Sequence, residues 1–307
     1  MNVGEREALA ALTLRLKAIL PEEYQDSYES VQPVSMGSAG LKYGLDGKVA
    51  WNEMWATFCD LAMAGGPPHK GTLLEPGSAA EIGAQPDRYD EVVEEICRGV
   101  NLVTDLPAER SPTPGWVRVR CLNGGMASWL VRAIVMENVS ARSTSNALDL
   151  PAAPGFRLEK EIKNVVTVIA KTCHYWLGHI PRPQQRAIAD LFLRMAEESP
   201  LVEPALREDG PAAGHDGDPA TRIADGIQQA TGLSRAPQRY TGWIGVECPG
   251  VRAAIWMMRA LVVSNVLSRR EGTVLFVPVN PTSDPGGRTV IDTVRRVHRF
   301  AAGEGVL

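Results

Sequence analysis

The chain has 307 residues, a formal net charge of −4, and 44% apolar against 22% charged residues, the composition of an ordinary globular protein with one large or two small domains. The acidic balance argues against a general nucleic-acid binder, whose footprint is basic. No run of about 18 apolar residues is present to cross a membrane, no apolar leader follows Met1, and the five cysteines at 59, 97, 121, 173 and 248 form no CxxC pair. Those three absences predict a cytoplasmic protein with reduced thiols.

In chain order, Leu9, Leu12, Leu16 and Ile19 share one face of an N-terminal helix, which is expected to cover an open edge. Trp55, Phe58, Cys59 and Ala62 mark a helix over 52–64, ended by Gly65-Gly66-Pro67-Pro68. Asp87 is the expected N-cap of a helix over 88–102 that turns Val92, Val93, Ile96 and Val100 inward. From Trp116 to Cys121 apolar and basic residues alternate, the pattern of a half-buried strand. Asn123-Gly124-Gly125 then leads into an apolar helix over 126–138, followed by a strand near 146–151. Glu159 to Trp176 reads as a long amphipathic helix. A strand, a 13-residue helix and a second strand predict a crossover with parallel strands.

That order occurs twice. Residues 115–151 align without gaps on 242–278, with fourteen of 37 pairs identical, among them Trp116/Trp243, Cys121/Cys248, Trp129/Trp256, Arg132/Arg259, Asn138/Asn265, Arg142/Arg269 and Pro151/Pro278. Self-similarity at a fixed offset is the signature of a duplicated unit. The expected fold class is therefore α/β or α+β and helix-rich. It is a tandem duplication of a helix–helix–strand–helix–strand–helix unit of about 125 residues, packed as an intramolecular pseudo-twofold dimer. The expected segments are 1–51, an N-terminal helix and extension, 52–178, the first repeat, and 179–307, the second. The tract 200–219, rich in Pro, Gly and acids, reads as a mobile loop inside the second repeat.

Four groups of residues are candidates for chemistry. Cys121 and Cys248 each end a strand just before a helix, where the positive end of a helix dipole lowers a thiol pKa. Facing each other across a pseudo-dyad, they would suit one acid and one base acting on opposite faces of a carbon. The strand–Cys–Gly–helix junction resembles that of two-cysteine epimerases; those are strand-rich and this chain is helix-rich, so no fold or residue role carries over. The alternative is a pair of core thiols. Lys160, Asn164, Thr167, Lys171 and His174 fall on one face of the long helix, and three of the chain's seven lysines lie in it. That face would bind an anion with His174 titrating near neutrality, or would be a solvated face paired with Glu159 and Glu161. His69 and Lys70 sit in a Gly-rich loop that would let a ligand approach the backbone. Arg132 and Arg259 are embedded in apolar helices and need an anionic partner, internal or bound. No metal site is expected, because His174 and His179, five apart, do not share an α-helical face.

The first repeat carries the lysines and the histidine loop, which the second lacks. The expected function is thus a cytosolic enzyme acting on a small anionic metabolite at one site built by the first repeat. His174 and Lys171 would do acid–base work with Cys121 or Cys248, and His69, Lys70, Lys160, Asn164, Arg132 and Arg259 would bind the ligand. The alternative is a non-catalytic pseudo-dimeric subunit or scaffold that binds a protein partner or handles a cofactor. Neither nucleic acid nor membrane is an expected partner, and homo-oligomers stay open.

Overall fold

The computed structural model describes residues 3–25, 40–54, 72–205 and 218–307. These fold as two compact units, one built on residues 30–189 and the other on 1–29 together with 190–307. The expected helix over 52–64 lies outside the described residues except for its first turn, as do the 65–71 loop with His69 and Lys70, and residues 206–217.

In the 30–189 unit, Ser78 opens α2 (Ala79–Ala84) with a capping box closed by Glu81. Helix α3 (Pro86–Thr104) starts earlier than its apolar periodicity indicates. Gln85 is its N-cap and Pro86 its first residue, so Asp87 sits in the first turn instead of capping it. Val92, Val93, Ile96 and Val100 are buried as their spacing requires, each contributing about 1.5–3 kcal/mol. Strands β1 (Ala108–Arg110) and β2 (Trp116–Arg120) lead through the Asn123 cap into α4 (Gly124–Met136). Then come β3 (Arg142–Thr144), β4 (Ala147–Pro151), a turn of π-helix at Leu158–Ile162, α5 (Lys163–His174), a second π-turn at Tyr175–His179, and α6 (Arg182–Glu198), of which the residues up to Ala189 belong to this unit.

The sheet is four-stranded, in the order β1-β2-β4-β3, and every pairing is antiparallel. The expected parallel pairing of the two strong strands is thus incorrect. The helix does cross over, but it delivers the chain first to β3, which runs in the sense of β2. A hairpin with Ser145 at φ 50° then reverses the chain, and β4 fits between them. The polar run Arg142-Ser143-Thr144 carries no strand pattern in sequence.

The other unit holds α1 (Val3–Ala18), α7 (Pro219–Thr231), β5 (Arg235–Tyr240), β6 (Trp243–Glu247), α8 (Val251–Val262), β7 (Arg269–Glu271), β8 (Val274–Pro278) and α9 (Arg288–Gly303). Its sheet runs β5-β6-β8-β7, again antiparallel throughout. Trp116 pairs with Pro151 in the first sheet, and Trp243 with Pro278 in the second. Close helix approaches also correspond: a Cβ on Gly99 would come within 2.7 Å of Val166, and one on Gly226 within 2.5 Å of Ile291. After α4 and α8, Asn138 and Asn265 take positive φ, 61° and 58°. Their carbonyls accept from Leu74 N–H and Val202 N–H at 2.9 and 2.8 Å. Helix α1 buries Leu9, Leu12 and Leu16 and lies against α8.

The fold class is α+β. The sheets differ in chemistry where Arg118 pairs with Asp149 in one and Gly245 with Phe276 in the other. Asp149 of β4, 2% exposed, holds Arg118 through 2.8 and 3.0 Å bonds and Arg142 at 3.0 Å. Phe276 occupies the corresponding place in β8, with the fully buried Arg269 guanidinium carbon 3.9 Å from its ring centroid, a cation–π contact. Arg269 also pairs with Glu271 at 2.7 Å. Among the described residues no helix is long and apolar enough to cross a membrane.

Candidate functional site: an arginine-lined cleft beside a histidine pair

The site grows from the end of α5. An α-helix places residues five apart on diverging faces, but the chain widens at Tyr175–His179 into a π-turn, closed by the Ile180 N–H donating to the Tyr175 carbonyl at 3.0 Å. The wider turn brings His179 edge-on against His174, with the ring planes 63° apart. Their Nε2 atoms lie 3.0 Å apart and their ring centroids 4.9 Å apart. The expectation that these histidines diverge is corrected by this local change of helix type. Gln185 holds the turn from α6, its Nε2 donating to the Trp176 and Ile180 carbonyls at 2.8 Å each. Trp176, 1% exposed, anchors the turn from inside by packing on Trp129 of α4, centroids 5.6 Å apart.

Beside the turn opens a cleft of about 730 Å³, within the range of small-molecule sites. Asn123 and Gly125 bring the N-terminus of α4 to it, the π-turn supplies Trp176, Leu177 and His179, and α6 supplies Arg182 and Arg186. The Asn123 side chain accepts from Met126 N–H at 2.9 Å and so fixes where α4 begins. Gly125 lets α6 pass close above that end, since a Cβ there would come within 2.7 Å of the Ala189 methyl. Arg182 and Arg186, one helical turn apart and exposed, form no ion pair among the described residues. The lining carries two guanidinium groups and no carboxylate. Together with the positive end of α4, that favours an anion.

The other sequence candidates distribute differently. Lys171 does not face solvent. It is 2% exposed and its Nζ lies 2.9 Å from Glu137 Oε1. Lys163 is buried too, while Lys160 is exposed beside Glu161 and Asn164 is half-buried. The expected cationic face is therefore split, because the π-turn ahead of α5 and the Glu137 carboxylate draw its lysines to different environments. Of that face only His174 reaches the cleft region, through His179. Arg132, 4% exposed, donates from Nη1 to the Ser128 carbonyl of its own helix at 2.8 Å. Arg259 is half-buried in the other unit.

The cysteines correct a second expectation. Burial pushes the Cys121 thiol up to about 12. Burial, reinforced by Glu247, does the same to Cys248, again to about 12. Each lies three residues before its helix and is 6% exposed, so desolvation outweighs the helix dipole. Burial at both positions favours the neutral thiol, the form of a core cysteine.

Sequence reasoning missed Arg182, Gln185 and Arg186. The Arg-x-x-x-Arg spacing behind Pro181 was the available signal. Among the described residues no group of three or more His, Cys, Asp or Glu could hold a metal ion. No family model, no curated protein and no solved structure matches this chain.

Proposed function

We propose that the chain is an enzyme acting on a small anionic metabolite in the cleft of the 30–189 unit, with the His179–His174 pair as its acid–base group. The observation that carries this reading is the lining: Arg182 and Arg186 with no carboxylate, at the N-terminus of α4, beside His179. The guanidinium groups and helix N-terminus bind the anion. With Nε2 atoms 3.0 Å apart, one ring donates and the other accepts, so a proton taken from or given to the ligand by His179 can be passed to His174. The apolar Trp176 and Leu177 fit a ligand with a hydrocarbon or aromatic body.

Calorimetric titration with inorganic phosphate and with a panel of small carboxylates tests it. Binding that is abolished in Arg182→Glu/Arg186→Glu, with far-UV circular dichroism unchanged, is the expected result. Equal binding in the variant and the native protein rejects the site. A non-catalytic subunit is the second reading, favoured by the exposure of Leu122 and Leu177 at the cleft, 65% and 48%, an apolar rim suited to a protein partner.

We further infer that the chain is a tandem duplication, with repeats over 52–178 and 179–307 and a pseudo-twofold packing of the two as part of the same proposal. Support comes from the matching strand orders, the Trp–Pro registers, the two glycine approaches and the two positive-φ asparagines. The described cysteines are all free, in keeping with a reducing, cytoplasmic compartment.

A further inference from the structure

We infer that the anion of the cleft is a phosphate monoester with an apolar body. Its dianionic phosphate sits between the N-terminus of α4 and the guanidinium groups of Arg182 and Arg186, and its body lies against Leu122 and Leu177. The substrate class so named rests on the proposed function of the same cleft.

The two arginines share the face of α6 that meets α4. A Cβ on Gly125 would come within 2.7 Å of the Ala189 methyl, so Ala189 marks where the helices touch. Arg186 and Arg182 precede it by three and seven residues, which puts all three on one helical face. Each guanidinium carries five N–H donors in a fork that fits phosphate oxygens two at a time. Facing them, α4 begins with donors to spare. Ala127 N–H closes its first turn on the Asn123 carbonyl at 3.2 Å, and Met126 N–H goes to the Asn123 side chain at 2.9 Å. The N–H groups of Gly124 and Gly125 therefore lie outside the intrahelical ladder. Gly125 lines the cleft, and neither glycine has a side chain to hold a phosphate oxygen away.

Charge selects among anions. Two guanidinium groups and a helix N-terminus together carry about 2.5 positive charges, and no carboxylate joins them in the lining. A phosphate monoester brings about 1.5–2 negative charges on one tetrahedral group at pH 7. A sulfate ester or a single carboxylate brings one, and leaves a guanidinium without a counter-charge. A dicarboxylate divides its charge between two ends, and the rest of the lining suits no second charged end, since Leu122, Trp176, Leu177, Ile180 and Pro181 are apolar. Leu122 and Leu177 are 65% and 48% exposed, a surface that an organic body removes from water. The cleft of about 730 Å³ has room for that body beyond the phosphate. The histidine pair keeps its acid–base role, and the phosphate is the handle that holds the ligand beside His179.

The test compares four ligands by calorimetry on the full-length protein: phenyl phosphate, phenyl sulfate, inorganic phosphate and succinate. Phenyl sulfate keeps the shape and drops one charge, whereas inorganic phosphate keeps the charge and drops the body. Phenyl phosphate should bind at least about tenfold more tightly than either, since one charge-assisted hydrogen bond or one buried ring is worth that factor. It should also bind more tightly than succinate. Leu122→Ser/Leu177→Ser, at two exposed positions, should bring phenyl phosphate to the affinity of inorganic phosphate, with far-UV circular dichroism unchanged. Phenyl sulfate or succinate binding as tightly as phenyl phosphate, and lost in Arg182→Glu/Arg186→Glu, overturns the monoester and leaves the anion cleft standing. Equal affinity of the native protein for inorganic phosphate and phenyl phosphate likewise overturns the monoester alone. Absence of binding to all four, or binding untouched in the arginine variant, removes the anion cleft and the monoester together.

Discussion

Lys171 of α5 holds Glu137, at the end of α4, through a 2.9 Å ion pair in which the two side chains are 3% and 9% exposed. Neither group is hydrated enough to stand alone as an ion. Lys171→Ala strands the carboxylate, with an expected loss of about 3–5 kcal/mol in urea unfolding. Replacing both, as Lys171→Met with Glu137→Leu, should recover most of that loss, because an apolar pair of similar volume avoids the desolvation penalty. If the double variant is as unstable as the single, the pair matters through packing rather than charge.

Gly125 sets the height of α6 above the cleft floor. Gly125→Ala places a methyl group 2.7 Å from the Ala189 methyl and should cost about 1–3 kcal/mol by overpacking. The same variant should weaken phosphate binding, since Arg182 and Arg186 ride on the displaced helix. Gly125→Ala combined with Ala189→Gly should restore both properties, read by thermal unfolding and calorimetry.

The thiols offer a chemical check. With Cys121 and Cys248 pushed up to about 12 and Cys97 to about 11, in each case chiefly by burial, almost no thiolate exists at pH 8. Iodoacetamide at pH 8 should label these three positions only as the protein unfolds, the rate rising with urea through the unfolding transition. Rapid native-state labelling of Cys121 or Cys248 would restore the thiol-catalysis reading.

Glu161 reports on acid stability. Burial raises its pKa, but hydrogen bonds from the Arg157 side chain and backbone outweigh that and bring it down to about 2. A carboxyl group depressed in the folded state stabilises fully above its unfolded value, about 4.3, and loses that contribution as pH falls toward 2. Glu161→Gln should therefore flatten the stability profile between pH 4.5 and 2 and lower the plateau above it. Arg157 is largely exposed, so solvent screening keeps the effect modest.

What the residues disclose on inspection follows their periodicity. Strands β2 and β4 alternate, α3 and α4 show their faces, and fourteen residue pairs match at a fixed offset, the basis of the proposed duplication. Strands β1 and β3 are three residues each and polar, too short for any period, and without β3 the strand–helix–strand order implies a parallel crossover. The histidine pair was hidden for a related reason: α-helical spacing separates residues five apart, and only a change of turn type joins them. Lys171 looked like a surface charge because its partner comes from another helix. Arg182 and Arg186 were open to view as a basic turn behind a proline, but nothing in one dimension places them over the α4 terminus.

Asn138 and Asn265 have a consequence for how the chain tolerates change. Each is buried, holds a left-handed backbone and offers its carbonyl to a distant strand-like segment. Asparagine, glycine and aspartate enter that conformation readily, and β-branched residues pay a steric penalty there. A saturation-mutagenesis map of the chain should therefore carry two narrow wells of intolerance 127 positions apart. They would be shaped by the left-handed backbone and, at Asn265, by the side-chain amide that donates to the Ser199 carbonyl at 2.7 Å, and be indifferent to whatever ligand the cleft holds.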